Sequence, residues 1–408
     1  MKLWASGIDI RRGGPDTKVS SRRRNCSSCP AMGSPLPKRS PNLRVISLIV
    51  VVALFCSRIT FAREPATPAA QSQALWISNT NSDDSFISEL VDSQLVRSGI
   101  PRASLNTGHS NVGPVGKIGF DGAGNLWIPF CGDENLTYGL VAAFSPAALA
   151  KFAAGDRRVK PIAELTGAAF NCPIALAFDH SGNLWVENAG FFDHPGQSII
   201  EYTAASLSQN GSAPIVTLTS NSFRFLRGIA FDGAGDLWIA NPANDANDGV
   251  LEFTPQQLSD GGLQTPGLIL QSSLFINPHD IAFDTANNIW VAYDGGSPQQ
   301  PSLGGVQMVA AANLTGSGTV APPAAVTLSG QGQTPCILSV CTPSALAFDQ
   351  SGDLWIASRT IAEFTAAQLT SGDPSIPQVI LAPNFVNAKG TSLNFLGAGS
   401  LTFGPATK

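Results

Sequence analysis

Few side chains in this chain have the type and spacing to do chemistry. Gly108-His109-Ser110-Asn111-Val112-Gly113 carries the residues of a nucleophile elbow, but Gly113 falls three residues after Ser110 instead of two and no strand pattern precedes it. Asp179-His180-Ser181-Gly182-Asn183 and its copies could be taken for calcium loops. They lack the alternating oxygen ligands and terminal Glu of such loops, and they lead into strands instead of joining helices. Cys26 and Cys29 form a lone C-x-x-C without partner ligands. No phosphate-binding glycine loop is present, and the four His are dispersed, His180 falling in a turn that reads as solvent-exposed. A site here has to be assembled by the fold from distant residues.

The element that would assemble it is a repeat. Five Phe-Asp pairs are each followed at fixed spacing by Trp: Phe120/Trp127, Phe178/Trp185, Phe231/Trp238, Phe283/Trp290 and Phe348/Trp355. Trp76 lacks its Phe-Asp and Phe403 lacks its Trp, so the two chain ends together make a sixth unit. A period of 51 to 65 residues, split across the termini, predicts an all-β, six-bladed β-propeller whose last blade is closed by the N- and C-terminal strands.

Each unit reads as a strand, a tight turn and a Trp-bearing strand. In Leu176-Ala177-Phe178 bulky and thin positions alternate, as interdigitating sheets require, and Asp179 and Gly182 supply turn chemistry. A third strand follows with its own signature (SIIEYTAASL, GVLEFTPQQL, TIAEFTAAQL). Its tail predicts a turn of helix capped by Thr203, Thr254 and Thr365, before a Pro-led fourth strand. The recurrence of one Trp per unit points to core packing and not to substrate stacking.

Composition limits the partners. Basic residues Lys38, Arg39 and Arg44 precede the apolar run Val45–Cys56, and Thr60-Phe61-Ala62 follows. The run is shorter than the ~20 residues that span a bilayer, so we read a signal peptide cleaved after Ala62, with an uncleaved N-terminal anchor as the alternative. Met32 is an alternative start. The expected domains are residues 1–62 as basic region and signal, 63–73 as linker and 74–408 as propeller. Residues 63–408 hold 13 basic against 27 acidic side chains, a formal charge of −14, which disfavours nucleic acid and anionic membranes. The same span has four Cys: Cys336 and Cys341 are expected to pair in a loop entering the fifth blade. Cys131 and Cys172 should lie on one loop face of neighbouring blades, within reach of a second bridge.

The pattern x-Gly-[Ile/Leu]-Ala-Phe-Asp-x-x-Gly-Asn-Leu-Trp-[Ile/Val]-Ala-Asn, covering about residues 74 to 404, resembles NHL-type repeats and the six-bladed gluconolactonase (senescence-marker) superfamily. In that superfamily's metal-dependent lactonases, the position two before the Ile/Leu of the first strand faces the axial channel and supplies Asn or Asp ligands. Here the column reads Gly116, Ile174, Arg227, His279, Ser344 and Gly399. Without a carboxylate or amide in it, the resemblance implies a scaffold with no cofactor, and disfavours calcium or another divalent metal in the channel. Streptogramin lyases are also propellers, but the Glu-x-His that resemblance to them would require is absent.

Around the mouth, the loops after the Trp strands and those entering the first strands share one face. They contribute Asp133, Glu134, Asn188, Asp193, His194, Asn241, Asp245, Asp248, Tyr293, Asp294 and Arg359 beside Arg227, His279 and Ser344. Arg227 and His279 are the candidate pair, for binding or for catalysis. The expected function is a secreted or periplasmic monomer that binds a small molecule, glycan or protein on this face. The alternative is a lactonase-like hydrolase or lyase, with His279 as general base and Arg227 stabilising an oxyanion.

Overall fold

The computed structural model describes residues 72–407, apart from 81–84, 97–104, 107–115, 133–138, 157, 191–195, 244–248, 272–275, 295–303, 330–341, 359, 372–375, 382–383, 387–391 and 395–397. Six antiparallel sheets, numbered here as blades 1 to 6, carry Trp127, Trp185, Trp238, Trp290, Trp355 and Trp76 in turn. Blade 2 shows the plan: Pro173–Phe178 innermost, then Leu184–Asn188, Ser198–Tyr202 and Val216–Thr219. The innermost strands touch in cyclic order, that of blade 6 meeting those of blades 5 and 1, so the ring is closed.

Blade 6 is stitched from both ends of the chain. The C-terminal strand Ala398–Pro405 is innermost and pairs with Gln73–Thr80, aligning Leu75 with Phe403 and Ile77 with Leu401. The N-terminal segment supplies the remaining strands, Ser85–Val91 and Leu105–Asn106. A separate hairpin, Asn384–Val386 with Ser392–Asn394, lies in the connection from blade 5 to the closing strand.

What joins one blade to the next is a relay of aromatic pairs. Each Trp meets the Phe of the following blade edge-on: Trp76/Phe120, Trp127/Phe178, Trp185/Phe231, Trp238/Phe283, Trp290/Phe348 and Trp355/Phe403. Their centroids lie 5.5 to 6.2 Å apart. All six Trp are at most 3% exposed. Edge-to-face pairs add about 0.5–1.5 kcal/mol to the burial of the rings themselves.

Burial leaves an indole N–H that needs an acceptor, and the Asp of each Phe-Asp pair supplies it. Asp179 Oδ2 accepts from Trp185 Nε1 at 3.1 Å, while its Oδ1 accepts from the amides of Ser181 and Asn183. The same indole bond recurs from Asp121, Asp232, Asp284 and Asp349 at 3.0 to 3.2 Å. In blade 6 Gly404 stands where the others have Asp, and Trp76 donates instead to the Pro405 carbonyl at 3.3 Å. The turn itself is closed by Gly182 at φ +78°; in blade 4 Asn287, at φ +62°, does the same work.

The third-strand tails are short helices as expected, Pro255–Asp260 and Ala366–Thr370, with Thr254 and Thr365 in reciprocal capping boxes with Gln257 and Gln368. Thr203 begins a 3-10 turn without a side-chain cap. Two blades exceed the expected four strands. Gly262–Leu263, on the way to the fourth strand of blade 3, adds in parallel to the outer strand of blade 2; Gly318–Val320 does likewise on blade 3. These straps cover sheet edges that would otherwise be open to pairing with another chain.

Two perturbations test this architecture. Trp238→Ala should cost about 3–5 kcal/mol in urea denaturation. Deletion of residues 400–408 removes most of the closing strand and should abolish a single cooperative transition. An unchanged melting temperature in the truncated protein would contradict the closure.

Candidate functional site at the channel mouth

The first strands begin at the mouth, and the groups that meet across the axis sit one residue beyond the Gly116–Gly399 column. Lys117, at the start of blade 1, reaches Asp280 in the diametrically opposite blade 4, Nζ to Oδ1 at 2.6 Å. The pair is nearly dry, with side chains 15% and 4% exposed. Desolvation on this scale is offset only when the remaining lone pairs are satisfied. Asp280 meets that condition: Oδ1 also accepts from the Ile281 amide and Oδ2 from the Leu346 amide of blade 5. Gly228 of blade 3 makes the room, since a Cβ there would fall 2.5 Å from Asp280 Oδ1. Ser400 serves the closing blade in the same way, accepting from the Ile118 amide and sharing a hydrogen bond with Ser78.

Glu187 is a further axial group. It lies on the Trp strand of blade 2, at a position filled elsewhere by Ser78, Pro129, Ala240, Ala292 and Ala357. Its side chain is fully buried and neither carboxyl oxygen has a hydrogen-bond partner among the described residues. Burial pushes its pKa up to about 8, against the pull of Lys117 and Arg227 and with a small push from Asp280. At neutral pH it is therefore mostly the uncharged acid.

Arg227 sits at the lip of a cleft of about 880 Å³ between blades 2 and 3, lined also by Ile174, Arg224, Phe225 and Leu263. It is exposed and, among the described residues, has no ion pair. Asp280, the carboxylate next to it in the repeat, is taken by Lys117. His279 is not among the lining residues of this cleft. It is 17% exposed and holds Asp294, Nε2 to Oδ2 at 3.0 Å, while Asn277 donates to the same oxygen at 2.7 Å. The structure thus gives His279 an orienting carboxylate and leaves Arg227 uncommitted.

Other candidates have structural duties. Asn188 and Asn241 are fully buried and lash the loops entering their own blades. Asn188 takes the Asn171 amide and donates to the Ala169 carbonyl, and Asn241 takes the Arg224 amide and donates to the Ser222 carbonyl. Ser344 is half-buried, its amide donating to the Ala357 carbonyl. Tyr293 is 4% exposed. Cys131 and Cys172 form a disulfide that ties blade 1 to blade 2 at this face. His194, Arg359, Asp133, Glu134, Asp193, Asp245, Asp248, Cys336 and Cys341 lie outside the described residues.

Among the described residues, the acidic or cysteine/histidine grouping close enough to share an ion is Asp349, Asp353 and Glu363. It sits at the turn under Trp355 and not at the mouth. Burial, then Asp353 and Asp349, push Glu363 up to about 7. The site reading from the repeats missed Lys117, Asp280 and Glu187 as a set. The signal available was the isolated acid at position 187 in an otherwise small or apolar column.

No protein-family model matches the chain, and no curated protein matches it. Among solved structures it is similar to a protein of unknown function from Bacteroides caccae, at 12% identity and TM-score 0.46, over 82% of this chain and 100% of that one. A gluconolactonase from Xanthomonas campestris is similar at 14% identity and TM-score 0.42, over 84% and 98%. PorZ, a surface component of the type-IX secretion system of Porphyromonas gingivalis, is similar at 14% identity and TM-score 0.43, over 69% of this chain and 37% of PorZ. Gluconolactonases are thus among the structural neighbours, as the repeats led us to expect, and at these values the likeness concerns the fold alone.

Glu187 makes a pH-dependent prediction. A carboxyl whose pKa rises from 4.5 to about 8 on folding contributes fully below about pH 4.5 and loses that contribution as pH climbs to about 8. Glu187→Gln removes this linkage, so the variant should gain stability relative to the parent between pH 5 and about 8, measured as urea midpoints. Parallel pH profiles for the two proteins would contradict the buried, protonated acid.

Proposed function

We propose that the protein is a secreted or periplasmic β-propeller that binds a small ligand, glycan or partner protein at its channel mouth, without a cofactor and as a monomer. The observation that carries the reading is Arg227: an exposed guanidinium with no ion pair among the described residues, at the lip of a cleft, in a protein whose residues 63–408 carry a formal charge of −14. The acid that neighbours it in the repeat, Asp280, is occupied by Lys117. The disulfide between Cys131 and Cys172 supports an oxidising compartment. Among the described residues no helix is long and apolar enough to cross a membrane.

The His279–Asp294 contact supports a second reading, a hydrolase or lyase acting on a lactone-like ester. A carboxylate on Nε2 orients the imidazole and leaves Nδ1 as the nitrogen that could take a proton from an attacking water. Arg227 would then face the developing oxyanion from the adjacent blade.

A thermal-shift screen of small carboxylates, neutral sugars and lactones, run on the parent, Arg227→Ala and His279→Ala, separates the two. Binding is expected to raise the melting temperature of the parent and of His279→Ala and to be weakened in Arg227→Ala, with no lactone consumed. Lactone hydrolysis lost in both His279→Ala and Asp294→Asn would replace the binding reading with the enzymatic one. Lower melting temperatures with unchanged ligand shifts would make the mouth structural.

A further inference from the structure

We infer that the cleft between blades 2 and 3 takes a small amphipathic organic anion, its charged head on Arg227 and its aromatic or aliphatic body against Phe225 and Leu263. This rests on the reading of the mouth as a binding face and goes beyond it by fixing the chemical class of the ligand. The cleft, about 880 Å³, falls in the range of ~300–1,000 Å³ typical of small-molecule sites.

Two large apolar side chains stand open in it, Phe225 at 60% and Leu263 at 64% exposure. They come from separate excursions of the chain. Phe225 lies in the loop entering blade 3, two residues after the buried Phe223; Leu263 lies in the strap laid over the edge of blade 2. The Phe225 loop is braced. Arg224 Nη1 donates to the carbonyls of Asn221 and Phe223, at 2.7 and 2.8 Å, and the Arg224 amide is held by Asn241. A braced loop keeps an aromatic ring in place for a ligand at little ordering cost.

The charge pattern selects an anion. The described lining holds two arginines and no carboxylate. Of the described axial acids, Asp280 is paired with Lys117, and burial pushes the pKa of Glu187 up to about 8. The negative charge of the rest of the protein repels an anion at a distance, so affinity must come from contact. A purely hydrophilic anion would have the guanidinium alone, whereas one with an apolar body also covers Phe225 and Leu263, gaining roughly 25 cal/mol per Å² of apolar surface removed from water.

The probe pair 1-anilinonaphthalene-8-sulfonate and N-phenyl-1-naphthylamine tests this, since the two dyes share a body and differ in the sulfonate. Fluorescence titration should give one saturable sulfonate-dye site per chain. Arg227→Gln should weaken that dye about tenfold or more, as expected for loss of a charge-assisted hydrogen bond, and leave the uncharged dye unchanged. Phe225→Ser should weaken both dyes. Both side chains are exposed, and circular dichroism of each variant confirms the fold. Sulfonate-dye binding lost in Phe225→Ser but insensitive to Arg227→Gln would overturn the anion assignment while leaving a binding mouth. Insensitivity to both variants, or no saturable site, would overturn the cleft altogether.

Discussion

The ring depends on the edge-to-face contact between each Trp and the Phe of the next blade. Each pair spans the faces of two neighbouring sheets, where side-chain packing sets the spacing. The indole cannot be buried without an acceptor, and the Asp six residues earlier provides one while closing its own hairpin. One residue pattern therefore folds a turn, satisfies a buried donor and docks a neighbour. The last link, Trp355 with Phe403, is made by the C-terminal strand, which is why the ring closes only when both chain ends are in place.

Closing the ring in this way places the starts of six innermost strands around one axis. With aromatic packing confined between blades, the innermost strands are free to vary at the mouth, and they do: Gly228 and Ala175 are small where Lys117 and Asp280 are charged. The crossing ion pair fills the axis with a satisfied interaction. It claims Asp280, the acid beside Arg227 in the repeat, and the second blade buries Glu187. The exposed guanidinium of Arg227 is thus a consequence of how the axial carboxylates are used.

The architecture was legible because repetition amplifies weak local signals. Phe-Asp followed by Trp, five times over, with a sixth unit split between Trp76 and Phe403, identified blade number, turn and closure, and the Thr254 and Thr365 caps followed from their position before the helical tails. The straps Gly262–Leu263 and Gly318–Val320 were not legible, since segments of two and three residues have no periodicity to read. The axial set was missed for another reason. Lys117 and Asp280 are 163 residues apart, and their pairing depends on blades 1 and 4 being opposite, a relation that repeat alignment places but does not charge-match. Asn188 and Asn241 looked like mouth residues by position; their amides serve the backbone of the incoming loops instead.

The central claim is that Asp280 belongs to Lys117 and not to Arg227. Double-mutant cycles on folding stability measure this directly, pairing Asp280→Asn with Lys117→Met and, separately, with Arg227→Gln. The account predicts a coupling of about 1.5 kcal/mol or more for Lys117 with Asp280 and none beyond about 0.5 kcal/mol for Arg227 with Asp280. The reverse order would contradict it, showing Arg227 to be a structural partner of the axis and its mouth closed to ligands.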